Sequence, residues 1–236
     1  VLNLDGLDVL FVIDSENLND MILDKYRNDP EFRLIVLGNA DDLLDGDRGD
    51  MVYGLPEYYR KALVRGARSA VSPRVEAIAI ELALLPLAKN ALLNSDVKVE
   101  IHTPRPVAPA AAEALRMLAD LQPSLNVKIN AEALPEAPYR RIDLKAEIAT
   151  PIALEEIERL YREAYDDHNF VYLIAGHGGV DEDLRGSNKY LIQLSKEDDR
   201  LIIEASMDAQ TKGCTGNAVH IMDLLFGLHE RTGLSI

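Results

Sequence analysis

Two nearly continuous apolar runs constrain this chain more than any other feature. Leu7-Asp8-Val9-Leu10-Phe11-Val12-Ile13 ends at Asp14, and Arg33 to Leu37 ends at Gly38-Asn39. Runs this short with no polar face fit strands buried on both sides, as in a parallel sheet. A helical stretch from about Leu18 to Tyr26 lies between them. Strand, helix and strand in that order predict a β-α-β unit.

The pattern changes further along. Asp41 to Asp50 reads as an acidic, glycine-containing loop. Ser72-Pro73 then reads as an N-cap followed by proline at the first helical position. The helix behind it carries Val75, Ile78, Leu82 and Leu85, with Pro86 bending or tightening it. Val97 to Ile101 predicts a strand, Pro109 to Leu121 an alanine-rich helix, and Asn126 to Ile129 a short strand. Ile142, Leu144, Ala146 and Ile148 alternate with Asp143, Lys145 and Glu147, the period of a half-buried strand. Thr150-Pro151 opens a helix with Leu154, Ile157, Leu160, Tyr161 and Tyr165 as its apolar positions. Lys189 to Leu194 and Leu201 to Ala205 flank the polar turn Ser195 to Arg200, as in a hairpin. The expected fold class is therefore α/β plus α+β. A partial Rossmann-like parallel sheet unit is followed by an α+β domain with a mixed or antiparallel sheet.

Charge narrows the function classes. A formal net charge of −15 argues against nucleic acid and against an anionic membrane surface, both of which need clustered Lys and Arg. One cysteine excludes an intramolecular disulfide and fits a reducing, cytoplasmic setting. No run approaches the ~18 apolar residues of a membrane helix. No signal peptide is visible. The chain starts without Met at an apolar segment, which leaves a processed or incomplete N-terminus open.

Lys212-Gly213-Cys214-Thr215-Gly216-Asn217-Ala218-Val219-His220-Ile221-Met222-Asp223 carries the most functional information. A Gly-x-x-Gly turn opens into an amphipathic helix with Val219, Met222, Leu225 and Phe226 on one face. A helix start of this kind offers free N–H groups and partial positive charge to a phosphate or cofactor. The stretch resembles the C-terminal segment of N-acetyl-gamma-glutamyl-phosphate reductases. Tyr53-Gly54-Leu55-Pro56-Glu57, Leu84-Leu85-Pro86-Leu87-Ala88-Lys89-Asn90, Ala153 to Ile157 and Ser187-Asn188-Lys189 are similar to other segments of that family, in the family's order.

The resemblance implies an NADP-dependent reduction of an acyl phosphate. A cysteine thiolate attacks the acyl carbon, phosphate leaves, hydride reduces the thioester, and a histidine exchanges protons. It also places Val75 where the family has its cysteine and Val107 where it has its acid–base histidine. The family's Arg-Gly-Ile becomes Arg140-Arg141-Ile142, which keeps Arg140 as a substrate contact. Lys212, Gly213, Gly216 and Asn217 are the cofactor-binding candidates, although no Gly-x-Gly-x-x-Gly turn lies before Leu7, so the chain reads as beginning partway through a dinucleotide fold.

Cys214 has two readings. At a helix start with His220 less than two turns on, it is a replacement nucleophile; as a small side chain in a tight segment, it is a packing residue. His220 likewise reads as a partner for that thiol or as a packed helix residue. Gly176-His177-Gly178-Gly179 with Asp181, Glu182 and Asp183 lacks the ligand spacing of zinc or calcium sites, so no metal is expected. The expected organisation is a partial dinucleotide-binding domain over 1–72, an α+β substrate and dimerisation domain over 73–208, and a C-terminal helix over 209–236 packing back on the first. The leading expectation is a homologue that keeps the fold and has lost catalysis. It would act as a ligand-binding or partner subunit, as a homo-oligomer or beside an active homologue. An active oxidoreductase using Cys214 is the alternative.

Overall fold

The computed structural model describes residues 4–38, 51–135, 140–176, 179–180 and 182–236. The chain divides into two compact units, Val1–Arg74 with Cys214–Leu234, and Val75–Gly213 with Ser235–Ile236.

In the first unit, strands β1 (Val9–Ile13), β2 (Arg33–Leu37), β3 (Met51–Tyr53) and β4 (Ser69–Ser72) form a parallel sheet in the order β1-β2-β4-β3. Helix α1 (Asp20–Asn28) makes the crossover from β1 to β2, capped by Asn19, whose side chain accepts the Ile22 N–H at 3.2 Å. Alternation along β2 explains why its run is apolar throughout. Leu34 and Val36 pack with Leu4, Val12 and Ile22 on one face, while Ile35 and Leu37 pack with Leu63 and Ala70 on the other. Leu63 belongs to α2 (Pro56–Val64), which starts on proline.

Helix α6 (Gly216–Leu225) covers that second face. Its core-facing residues are Ala218, Ile221, Leu224 and Leu225, with Met222 at the margin. The apolar stripe is therefore rotated from the one the sequence predicts. Phe226 stays 38% exposed, beneath the Arg33 guanidinium. The reason is that Gly54 admits Ile221: a Cβ at position 54 would stand 2.5 Å from Ile221 Cδ1.

The second unit is built on a six-stranded mixed sheet in the order β6-β5-β7-β10-β9-β8. Its elements are α3 (Val75–Lys89), β5 (Val97–His102), α4 (Ala108–Leu121), β6 (Ile129–Leu134), β7 (Arg141–Ala149), α5 (Leu154–Tyr165), β8 (Val171–Leu173), β9 (Tyr190–Glu197) and β10 (Arg200–Asp208). The expected architecture, a parallel sheet unit with a mixed-sheet α+β region, is what the chain adopts.

Every residue of α3 except Lys89 is buried, which makes Pro86 a problem. Proline has no N–H for the Leu82 carbonyl four residues earlier. Tyr165 solves it, its hydroxyl donating to Leu82 O at 2.6 Å. Tyr161 donates to Ala83 O at 2.5 Å and Tyr190 to Ala79 O at 2.6 Å. Burial pushes the Tyr161 and Tyr190 phenols well above their ordinary range, so both remain donors.

Several boundaries differ from the sequence expectation. Ser72 is no N-cap; it ends β4, opposite Leu37, and α3 begins at Val75. The strand expected at Asn126 to Ile129 lies at Ile129–Leu134, because parallel pairing with β5 sets Ile129 beside Val97. Thr150 precedes α5 by several residues, its hydroxyl accepting the Ile152 N–H at 3.3 Å. The hairpin turn shrinks to Asp198-Asp199, with Asp198 at φ 52°. The loop expected at Asp41 to Asp50, and His177, Gly178 and Asp181, lie outside the described residues.

Candidate functional site

Val75 is the first residue of α3, at the end of a helix where a reacting group would gain from free N–H groups. Its isopropyl group is 7% exposed. A Cβ added at Gly213 would stand 2.5 Å from Val75 Cγ1 and 3.3 Å from Met207 Cε. Glycine at 213 is thus required by apolar packing, and Val75 is one wall of that packing. Val107 occupies the N-cap position of α4, is 6% exposed, and has no side-chain oxygen to cap the helix.

Next to Val75 is a buried carboxylate that the sequence did not single out. Glu76 accepts from Thr103 Oγ1 at 2.6 Å and faces Arg105 Nη1 at 3.4 Å. These contacts join the start of α3 to the segment that leads into α4. The signal in the sequence was Thr103 and Arg105 between a strand and a proline-started helix, which is too common a pattern to select.

Arg140 is exposed and held at φ 58°, and its carbonyl accepts the Ala209 N–H at 3.1 Å. Lys212 is fully buried, its ammonium 5.7 Å from the Phe170 ring centroid. Gly213 and Lys212 belong to the π-helical turn Thr211–Thr215 that precedes α6. Neither is presented to solvent.

Cys214, Gly216, Asn217 and His220 lie in the first unit. Cys214 is partly exposed and Gly216 is buried. The Asn217 amide donates to Gly54 O and to Ser72 Oγ, both at 2.9 Å, and so ties the start of α6 to the sheet. His220 Nε2 meets Glu230 Oε2 at 3.0 Å, and Glu230 Oε1 accepts from Arg60 Nε at 2.5 Å. The His220 hydrogen bond first, and Arg60 with it, hold the Glu230 carboxyl down at about 2. Burial pushes the Asp223 carboxyl up, against the pull of His220. The His220 imidazole is engaged by Glu230.

At the carboxyl ends of β1 and β2 the chain is acidic and crowded. Asp14 Oδ1 lies 2.5 Å from where a Cβ on Gly38 would stand. Its N–H donates to Leu37 O at 2.7 Å, and the Asn17 and Leu18 N–H groups donate to Asp14 O and Ser15 O. Glu16 and Asp20 follow, both exposed.

The outward face of the second unit's sheet holds a pocket of about 400 Å³ with Glu100, His102, Asp143, Lys145 and Glu204 among its walls. Of the segments singled out in the sequence, the glycine-rich stretch reaches it through Gly179; none of the catalytic, cofactor or substrate candidates lines it. Among the described residues, no group of three or more His, Cys, Asp or Glu side chains is placed to hold a metal ion. No helix among them is long and apolar enough to cross a membrane.

Comparison with known proteins gives a consistent result. No family model matches the chain. The N-acetyl-gamma-glutamyl-phosphate reductase of Parabacteroides distasonis is 33% identical over 260 aligned positions, covering 100% of this chain and 80% of that protein. The enzyme of the same name from Bacteroides thetaiotaomicron is 32% identical with the same coverage. Among solved structures, Vibrio cholerae aspartate semialdehyde dehydrogenase II matches with a TM-score of 0.67 at 13% identity, over 96% of this chain and 83% of that one. The Francisella tularensis aspartate semialdehyde dehydrogenase matches with a TM-score of 0.66 at 10% identity, over 93% and 82%. At these identities the structures bear on the fold alone.

Proposed function

This chain belongs to the N-acetyl-gamma-glutamyl-phosphate reductase family, and from that premise we propose that it is a member that keeps the fold without the reaction. The observation that carries the proposal is the packing of Val75 against Gly213 and Met207. Acyl-phosphate reduction through a thioester needs a nucleophilic atom whose lone pair attacks the acyl carbon as phosphate departs. Valine supplies none. It also needs a group that gives and takes a proton near neutrality, and Val107 supplies none. Both side chains are buried and apolar, so a water molecule cannot readily take either role there.

What remains is a scaffold with a polar network at Glu76, Thr103 and Arg105. That favours a ligand-binding or partner subunit, working as a homo-oligomer or beside an active homologue of arginine biosynthesis in the cytoplasm. The other reading is an oxidoreductase that uses Cys214, the one thiol in the chain. Its partial exposure is what favours that reading.

Phosphate-dependent NADP reduction with N-acetylglutamate semialdehyde, measured in wild type and in Cys214→Ala, separates the two. The proposal expects no turnover in either protein, with Cys214→Ala folded as the wild type. Turnover that Cys214→Ala abolishes would establish the alternative.

A further inference from the structure

We propose that two copies of this chain associate edge to edge through strand β6, as one continuous sheet across a two-fold axis. Strand β6 is an edge of the second unit's sheet and pairs with β5 alone, while β7, the next strand in the chain, lies on the far side of β5. An edge strand offers a row of unpaired N–H and C=O groups to another chain unless it is short, kinked or blocked. The opposite edge, β8, has only three residues. Strand β6 has six, runs in unbroken register with β5 from Val97 beside Ile129 to His102 beside Leu134, and contains no proline.

The register decides which backbone groups point outward. The Val97 N–H donates to Lys128 O and the Thr103 N–H to Leu134 O. In a parallel ladder this turns the even-numbered residues of β6 to β5, and sends the N–H and C=O groups of Ile129, Ala131 and Ala133 to the open edge. Among the described residues nothing hydrogen-bonds to those groups. Lys128, Asn130 and Glu132 are exposed on one face, and their side chains have no ion pair or hydrogen bond with another described residue. Beside Glu132 on β5 is Glu100, a second carboxylate, whose cation is Lys98. A second copy laid antiparallel, with Ala131 facing the partner's Ala131 on the axis, sets Ile129 opposite the partner's Ala133 in a bonded pair. The same register sets Asn130 opposite the partner's Glu132 and brings Lys128 to that carboxylate along the diagonal. In-register parallel pairing would instead stack each charge on its like. Because one contact uses the β6 edge of both copies, association closes at two.

This contact specifies the homo-oligomer proposed above and rests on that part of the reading; the turnover assay judges the lost reaction separately. An edge contact of this size is weak and reversible. The test is analytical ultracentrifugation of the intact chain at low ionic strength, with hydrogen exchange followed at low and high protein concentration. Wild type should reach twice the 26.2 kDa of the chain in the micromolar range, and the Ala131 amide should become protected as it does so. Glu132→Lys, at an exposed position, should weaken the dimer about tenfold by setting like charges together. Adding Lys128→Glu to it should restore most of the affinity. Ala131→Pro removes an outward N–H that β5 does not use, so the monomer tolerates it, and the dimer should be lost. A chain that stays monomeric at every concentration would overturn the proposal. So would a dimer that none of these variants weakens, a charge swap that restores nothing, or an Ala131 amide that exchanges equally fast in monomer and dimer.

Discussion

Helices α3 and α6 are both deeply buried, yet they are held by different kinds of interaction. Helix α3 is buried on every side, Glu76 and Glu81 included; Tyr165 donates to the Leu82 carbonyl that Pro86 leaves without an N–H, and Tyr161 and Tyr190 donate to the Ala83 and Ala79 carbonyls. Helix α6 sits on its sheet through Ala218, Ile221, Leu224 and Leu225, but buries Asn217, His220 and Asp223 as well. The difference shows what each helix retains. At the start of α3, Val75 is buried beside Gly213. At the start of α6, the Asn217 amide fixes the helix to β4 and to Gly54. At α6 part of the hold is a carboxylate, Glu230, hydrogen-bonded to His220.

The sharpest way to break this comparison is at Gly213. Gly213→Ala should destabilise the second unit by about 1–3 kcal/mol, the range for overpacking a filled site. Val75→Ala in the same chain should recover more than half of that, because it removes the Cγ1 that the new Cβ meets. Thermal unfolding of the single and double variants measures both effects. An additive pair would mean that Val75 does not set the packing.

Tyr165→Phe comes next. It leaves the buried Leu82 carbonyl without a donor and should cost about 1–3 kcal/mol. Pro86→Ala restores an N–H to that carbonyl, so the cost of Tyr165→Phe should shrink in the Pro86→Ala background. On α6, Asn217→Ala withdraws the donor from Gly54 O and Ser72 Oγ and should cost about 1–2 kcal/mol, read as faster hydrogen exchange in β4 and α6.

The smallest expected effect is the pH dependence. The Glu230 carboxyl, held at about 2 against an ordinary 4.5, stabilises the first unit fully above pH ~4.5. That contribution is lost as pH falls from there towards 2. Asp223, raised by burial, works the other way, since protonation removes a buried charge. Glu230→Gln should therefore flatten the acid limb of a melting-temperature profile by a few degrees, roughly the equivalent of 1 kcal/mol. No such flattening should follow Tyr165→Phe.

Much of this was legible in the sequence, for identifiable reasons. The run ending at Leu37 is apolar because both faces of β2 are covered, whereas the run ending at Ile13, expected to be buried, forms a parallel strand at the sheet edge with Phe11 and Ile13 exposed. The alternation from Ile142 to Ile148 marked β7 because one face meets helices and the other does not. The short strands β3, β4 and β8 were not legible. Ser69-Ala70-Val71-Ser72 has neither length nor alternation, and becomes a strand because Leu34 to Leu37 offers it a paired edge. In the candidate site, the resemblance singled out the valines at 75 and 107. The Glu76 network and the contact of Asp14 with Gly38 could not, since each joins residues more than twenty positions apart.

The central claim is that the start of α3 has passed from chemistry to packing and that no other group has taken over the attack. Intact-mass spectrometry after incubation with N-acetyl-gamma-glutamyl phosphate, with NADPH left out, tests it most directly. Without a hydride donor, any thioester that forms should accumulate. The account predicts an unchanged protein mass. A one-to-one acyl adduct mapped to Cys214 would contradict it.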